Sequence, residues 1–528
     1  MTAPPTCTDY DRRMSTVITT AGTVRGLQEK GVFAFKGIPY AEPVSGHARW
    51  LPPKPRARWN GVLDATRHGN ACMQFGGNSF VLPFPRDRAL YYSAIDGLAK
   101  PKEGDDSLVL NVWSPALETS AKLPVMIWIH GGGFATGAAG EFYDAAHFAA
   151  RGVVAVVIQY RLGPPGFLHG SGLFDGDVCA DNRAFLDQLL ALTWVQENIA
   201  RFGGDASNVT LFGESAGAFA IYQLAASPQA KGLFRRAIAM GGMAQTHAPA
   251  EDYHRLTCDV LAQVGVKAGD AEALAALDRK QLMKLHGAIT KSVLGAKDPD
   301  RYGELTRTKV GFLGAATNTP FLPKAPLDAY RSGTPNNIEL MLGTCANDGG
   351  LFSLTLPLAT LGAKLFAGYF TGLAPKRDLE AVRAHYRAQL NGVTARRFHD
   401  QINNDIFYRA PTLKAATAHA VGHPGKTFHY QLDYASMVPT LGAIHGIDVL
   451  LLFRTQGIRK LIADDAETRA LSALMADAWV AFAKTGKPQV SSLPEWKSFD
   501  SGNRVTMVLD RKSRLENNLD AQLLSFWE

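Results

Sequence analysis

Val209-Thr210-Leu211-Phe212, running directly into Gly213-Glu214-Ser215-Ala216-Gly217, is the stretch on which the reading of this 528-residue chain turns. A short apolar run ending in G-x-S-x-G describes a strand that reverses sharply into a helix. Glycines on both flanks permit the tight turn, and the serine is pushed outward at the helix N-terminus. A hydroxyl placed there lies beside backbone N–H groups that have no partner inside the helix. A serine hydroxyl is nevertheless a poor nucleophile until a base removes its proton and donors stabilise the oxyanion that forms. Both must come from elsewhere in the chain.

The donors have a candidate upstream. His130-Gly131-Gly132-Gly133-Phe134 follows the apolar run Val125 to Ile129. Consecutive glycines carry no side chains to block approach, so their amides can converge on a developing negative charge. The N–H groups of Gly132 and Gly133, with that of Ala216 beside the serine, are the expected oxyanion hole.

Composition narrows the function classes. Apolar residues make up 46% of the chain, charged residues 20%, and the net charge is +7. Over this length that is a mild balance. No dense Lys/Arg tract interleaved with aromatics is present, so no nucleic-acid partner is expected. The N-terminal segment carries Pro4 and Pro5 and no apolar core of a secretion signal. No stretch is long enough to span a bilayer, so no membrane anchor is expected. Cys7, Cys72, Cys179, Cys258 and Cys345 show neither metal-ligand spacing nor a CxxC pair. No cofactor and no metal is implied, and a reduced, cytoplasmic protein is the expectation.

The order of elements is that of an α/β protein. Alternating segments at Thr16 to Val24, Val32 to Phe35 and Leu108 to Val112 predict antiparallel strands at one sheet edge. The near-continuous apolar runs Val125–Ile129, Val153–Ile158, Val209–Phe212, Ala237–Met240, Ile338–Leu342 and Thr427–Leu432 predict strands buried on both faces of a mostly parallel sheet. Phe185, Leu189, Leu192, Val195 and Ile199 recur at helical spacing over Asn182 to Ile199. Leu471, Leu474, Met475, Ala478 and Phe482 repeat the pattern before Gly486, a C-cap. With no repeat, low-complexity tract or linker, residues 1–528 read as a single catalytic domain. Residues 1–15 form a loose N-terminal tail, and 75–104, 285–325 and 351–400 are insertions around the site.

Taken in order, these motifs resemble the type-B carboxylesterases, the branch of the α/β-hydrolase fold that includes cholinesterases and their non-catalytic adhesion relatives. The resemblance runs from about residue 16 to residue 510. It is carried by Gly37-Ile-Pro-Tyr-Ala41, Leu108 to Val112, His130 to Phe134, Tyr160-Arg-Leu-Gly163 with Gly166-Phe-Leu168, Asp187-Gln188, Phe202-Gly-Gly-Asp205, Phe212 to Ala218, and Trp479 with Thr485-Gly-Lys-Pro488. It implies a large, mostly parallel twisted sheet with helices on both faces. It also implies a serine hydrolase that cleaves carboxylic esters through an acyl-enzyme, with no cofactor and a small-molecule ester as partner. A carbamate or amide hydrolase with the same machinery is the alternative, and a non-catalytic binding protein on this fold is a further one.

The resemblance assigns the remaining roles. Asn347-Asp348-Gly349-Gly350-Leu351-Phe352 stands where the family has Asp-Glu-Gly-x-x-Phe, so Asp348 replaces the catalytic glutamate. It is one methylene shorter, and its loop must bring the backbone closer. Gly442-Ala443-Ile444-His445-Gly446 supplies the base, His445, with Asp448 as the fallback acid. The chain order Ser215, Asp348, His445 is that of nucleophile, acid and base on this fold.

Three departures stand out. The cysteine that pairs with one near position 72 in secreted relatives is replaced by Ser107, while Arg49 is left to pair with Asp105. Met240-Gly241-Gly242-Met243 stands for Gln-Ser-Gly-Ser and removes a hydroxyl near Glu214, which supports the site from behind. Phe312 to Ala316 replaces a Pro-x-x-Asp-Gly segment.

Overall fold

The computed structural model describes residues 13–29, 31–76, 102–309, 311–333, 337–350, 379–390, 393–454 and 461–527. Most of the expected tail, most of the 75–104 insertion and the first part of the 351–400 insertion lie outside the described residues.

The backbone of the fold is one 13-stranded sheet. Its strands in chain order are β1 (Arg13–Ile18), β2 (Thr23–Glu29), β3 (Val32–Pro39), β4 (Val62–Asp64), β5 (Val109–Ser114), β6 (Leu123–Ile129), β7 (Val154–Ile158), β8 (Gly204–Glu214) and β9 (Arg236–Met240). β10 (His247–Pro249) and β11 (Ala315–Thr317) form a separate parallel pair. β12 (Glu339–Cys345), β13 (Thr427–Leu432), β14 (Thr506–Leu509) and β15 (Arg514–Glu516) complete the large sheet. The spatial order is β1-β2-β3-β5-β7-β6-β8-β9-β12-β13-β14-β15, with β4 beside β2. From β7 through β14 every pairing is parallel; the β1–β2, β2–β3, β3–β5, β5–β7 and β14–β15 pairings are antiparallel, while β4 runs parallel to β2.

The pleat explains why the central runs are continuously apolar. Val125, Ile127 and Ile129 of β6 enter one core layer with Phe185 and Leu192, whereas Met126 and Trp128 enter the other with Trp479 and Phe482. Helices therefore cover both faces, and a polar residue at any of these positions would be stranded from water. The helix α1 (Arg183–Asn198) buries the predicted Phe185, Leu189, Leu192 and Val195. Later in the chain come α2 (Ala216–Ala226), α3 (Leu379–Gln389), α4 (Ala395–Asn404) and α5 (Ala466–Thr485). The last begins at Asp465, whose side chain accepts from the Thr468 amide, and ends at Gly486 in the left-handed region, whose N–H closes on the Phe482 carbonyl at 2.8 Å.

One expectation changes in detail. Thr16 to Val24 is not one strand: Thr19 and Gly22 close a turn between β1 and β2, where the Thr19 hydroxyl donates to the Gly22 carbonyl at 2.7 Å. The 285–325 insertion holds the C-terminal part of the helix Arg279–Leu294, the helix Glu304–Thr308 and strand β11.

Candidate active site

β8 ends at Glu214, α2 begins at Ala216, and Ser215 between them has φ 55° and ψ −122°. A non-glycine residue at positive φ is strained, and such strain gathers at sites that need it. The sequence reading gave the turn to the flanking glycines, but the structure gives it to the serine. The glycines answer a different demand: the end of β6 lies hard against the turn. A Cβ on Gly213 would stand 2.6 Å from the Ile129 carbonyl oxygen, and one on Gly217 only 2.0 Å.

The glycine loop after β6 lies directly over this turn. A Cβ at Gly131 would meet the Glu214 carbonyl and carboxylate oxygens at 2.8 Å and the Ser215 Cβ at 3.1 Å. The turn's own hydrogen bonds run to the Gly132 carbonyl, which accepts from the amides of Ala135 and Thr136 at 3.1 and 3.0 Å. Gly132 and Gly133 are exposed at the opening, and Ala216 heads α2, where its N–H has no intrahelical partner. His130 stands behind the loop, fully buried, with Nδ1 2.9 Å from the Gly131 carbonyl and its ring stacked on Tyr160. Burial lowers its pKa to about 4, so the ring is neutral and adds no charge of its own.

Asp348 and His445 are brought together as expected. Asp348 Oδ1 lies 2.8 Å from His445 Nδ1, and Oδ2 accepts from the Cys345 amide at 2.8 Å. Both residues are buried. The shorter acid reaches the ring because the two loops are stitched together. The Asn347 amide donates to the Ala443 carbonyl at 2.9 Å, its side-chain amide donates to the Leu441 carbonyl at 2.7 Å, and Asn347 bridges Ile444 in parallel. Asp448, the fallback acid, is elsewhere: its Oδ1 caps the Val449 amide at 2.9 Å and its Oδ2 takes the Tyr430 hydroxyl at 3.4 Å.

The other side of the ring differs from expectation. His445 Nε2, read from the sequence as the partner of the Ser215 hydroxyl, lies 3.1 Å from Glu214 Oε1. Ser215 is held by its backbone, with its amide donating to the Met240 carbonyl at 2.9 Å. Two carboxyl groups thus contact one buried imidazole, and the charge of Asp448 acts on it from farther off. Burial pushes Glu214 up to about 8 and Asp448 up to about 7, the nearby acidic groups adding to each rise. Burial opposes the charged form of His445 as well, but Glu214 and Asp348 outweigh it and raise the ring to about 9.

The Met240–Met243 departure leaves no vacancy. A Cβ on Gly241, which has φ +55°, would sit 3.2 Å from His445 Cε1 and 3.4 Å from Asp348 Oδ1, so acid and base pack on bare backbone. Two neighbours of the pair carried no sequence signal. The Tyr408 ring packs on the His445 ring with centroids 5.0 Å apart, and the Asn404 side chain accepts from the Gly349 amide at 3.2 Å. Neither lies in a motif; only the fold brings them in.

Cys72 and Ser107 meet, with Sγ 3.3 Å from Oγ, and Cys72, Cys179, Cys258 and Cys345 all carry free thiols. Arg49 does not pair with Asp105: it donates to the Leu277 carbonyl at 3.0 Å, and Arg56 takes Asp106 instead. No described helix is long and apolar enough to cross a membrane.

Residues 13–527 match the family described as the Carboxylesterase family. The chain is 34% identical to the para-nitrobenzyl esterase of Bacillus subtilis over 525 residues, covering 96% of this chain and 97% of that protein. It is 31% identical to the phenmedipham hydrolase of Pseudarthrobacter oxydans over 508 residues, covering 93% and 94%. Among solved structures it is similar to a carboxylesterase of Geobacillus stearothermophilus, with TM-score 0.80 and 32% identity, covering 97% of this chain and all of the other.

Proposed function

Because this chain belongs to the carboxylesterase family and is a carboxylic ester hydrolase, we propose that it works through Ser215, His445 and Asp348. The observation that carries the reading is the Asp348–His445 contact at 2.8 Å on loops tied to each other, beside a strained serine at the head of a helix. Ser215 Oγ attacks the ester carbonyl while His445 Nε2 takes its proton. The bond from carbonyl carbon to alkoxy oxygen breaks, and the ring returns the proton to the departing alcohol. Water then gives up a proton to the same nitrogen and attacks the acyl carbon, the bond from that carbon to Ser215 Oγ breaks, the ring returns the proton to Oγ, and the acid is released. Asp348 holds Nδ1–H, fixing the tautomer that leaves Nε2 to act. The amides of Gly132, Gly133 and Ala216 receive the oxyanion in both half-reactions.

For this to run, Nε2 must pass from Glu214 to the adjacent Ser215 hydroxyl. Such contacts commonly tighten only once substrate is bound. The free thiols and the serine at position 107 support a reducing, cytoplasmic setting. The likeness to a phenmedipham hydrolase supports keeping carbamate esters among the substrates to be assayed. A chromogenic short-chain ester tests the whole reading: Ser215→Ala abolishes turnover, an alanine variant as fast as the parent would reject Ser215 as the nucleophile, and a folded parent inert toward esters would return the chain to the non-catalytic binding alternative.

A further inference from the structure

We propose that the segment Asn404–Arg409 is a brace that holds the acid and the base in register, with Tyr408 as a positioning residue for His445, and that the C-terminal segment anchors it through Asp520. The inference rests on the assignment of His445 and Asp348 above.

The helix α4 does not stop at Asn404. It continues into a five-residue π-turn, Asp405–Arg409. A π-turn inserts extra backbone per turn and redirects side chains relative to an α-helix, and it is often kept where function needs that redirection. Here it gives one short stretch two contacts with the site. Asn404 Oδ1 takes the Gly349 amide, and Asn404 Nδ2 donates to the Ala346 carbonyl at 3.2 Å, so the Asp348 turn is gripped on both sides. Four residues on, the Tyr408 ring covers His445 at 5.0 Å and 42°. Acid and base come from different loops, but a single helical turn touches both.

What holds the turn is a buried polar network. Asp405 is fully buried and accepts from Tyr386 of α3 at 2.5 Å, from Gln401 at 3.1 Å and from Arg409 at 3.1 Å. Arg409 also binds the carboxylate of Asp520, and the Trp527 indole donates to the Tyr386 hydroxyl at 2.7 Å. Ile406, Phe407 and Tyr408 share a hydrophobic cluster with Met243, Leu523 and Trp527, separate from the two layers that flank the sheet. The last residues of the chain therefore close on the brace, and the brace closes on the imidazole. A ring confined on one face cannot swing away from the proton it must transfer, and small displacements of such a group are expensive in rate.

The test compares Tyr408→Leu, Tyr408→Phe and Asp520→Asn with the parent on a chromogenic ester. Active sites are counted by titration with a phosphonate ester, so that kcat refers to reactive serines only. Tyr408→Leu is expected to lose about tenfold in kcat with KM within about twofold, and Asp520→Asn about threefold, while Tyr408→Phe stays at the parent value. In proton NMR, the downfield His445 Nδ1–H signal should persist in the Phe variant and broaden in the other two. Should Tyr408→Leu fail to fold, Asp520→Asn decides alone, since its side chain is 44% exposed and far less exacting to replace. A folded Tyr408→Leu or Asp520→Asn at the parent kcat, or one altered only in melting temperature, overturns the brace. A Ser215→Ala control that still turns over overturns the assignment of Ser215, His445 and Asp348 instead, so the two failures are distinct.

Discussion

Glu214 and His445 face one another across the back of the site, Oε1 3.1 Å from Nε2. The nitrogen that must accept the serine proton is therefore occupied by a carboxyl group on the neighbouring residue. The two titrate as a pair, and a base is useful only when neutral. His445 is raised to about 9, so in the free enzyme the base is protonated below that pH. The acid limb of kcat/KM is then expected well above the ordinary histidine value of about 6.5, with activity falling about tenfold per pH unit below it. Glu214→Gln removes the largest group raising the ring, so the limb should move toward neutrality. A pH–rate profile of both proteins checks this, and a limb at the same pH in each rules Glu214 out as the cause.

Asp348, and not Asp448, touches Nδ1. Replacing it with Asn presents an amide that favours the wrong ring tautomer, and turnover is expected to fall by about three to four orders of magnitude. Asp448→Asn keeps the contact to Nδ1 intact and should retain turnover within about tenfold. Steady-state kinetics on a single ester, with folding checked by circular dichroism, separates the two. The reverse ranking would reassign the acid.

Much of this was legible in the sequence, for identifiable reasons. The parallel strands announced themselves because a strand covered on both faces has few polar positions to interrupt it, as Val154–Ile158 and the run from Ala237 to Met240 show in their complete burial. Ser215 was singled out by the glycines around its turn, whereas Asp348 and His445 were read through the resemblance of their segments to family motifs. The relationships between side chains from distant segments were not legible. Nothing in Glu214 tells that its carboxyl will occupy Nε2, nothing in Asp405–Arg409 signals a π-turn, and Arg49 chose a carbonyl over Asp105 because the Leu277 backbone came nearer. The short strands β10, β11, β14 and β15 have three or four residues each, too few for alternation to register.

Cys72 and Ser107 offer a direct test of geometry. Sγ and Oγ are 3.3 Å apart, so Ser107→Cys places two sulfurs within bonding reach across a long enclosed loop. Burial raises the Cys72 thiol to about 12, so in the parent it is chemically inert. Under an oxidant, the variant is expected to gain on the order of 3 kcal/mol and a melting temperature several degrees higher, reversed by dithiothreitol. The parent, whose four described cysteines are free, should melt identically with and without reductant. A reductant-sensitive parent would overturn the reduced-thiol description.

Gly217 tests why the G-x-S-x-G glycines are there at all. If they served only to let the chain turn, an alanine would be tolerated at a position whose own φ is not positive, for the strained φ belongs to Ser215. The structure predicts otherwise: a Cβ at 217 would lie 2.0 Å from the Ile129 carbonyl oxygen and 3.2 Å from that of His130, both backbone, with no flexible side chain to yield. Accommodating it means moving β6 away from α2, which also carries the Gly131–Gly133 amides away from Ser215. Gly217→Ala should therefore be destabilised by about 3 kcal/mol or more and lose turnover even in the fraction that folds. Gly133→Ala is the matched control, because its Cβ would point into open space at φ +62°. It should lose only about 1 to 2 kcal/mol of stability, from backbone strain. Urea unfolding of both variants gives the comparison, and equal stabilities would mean that the close approach of β6 to the serine turn does not govern this position.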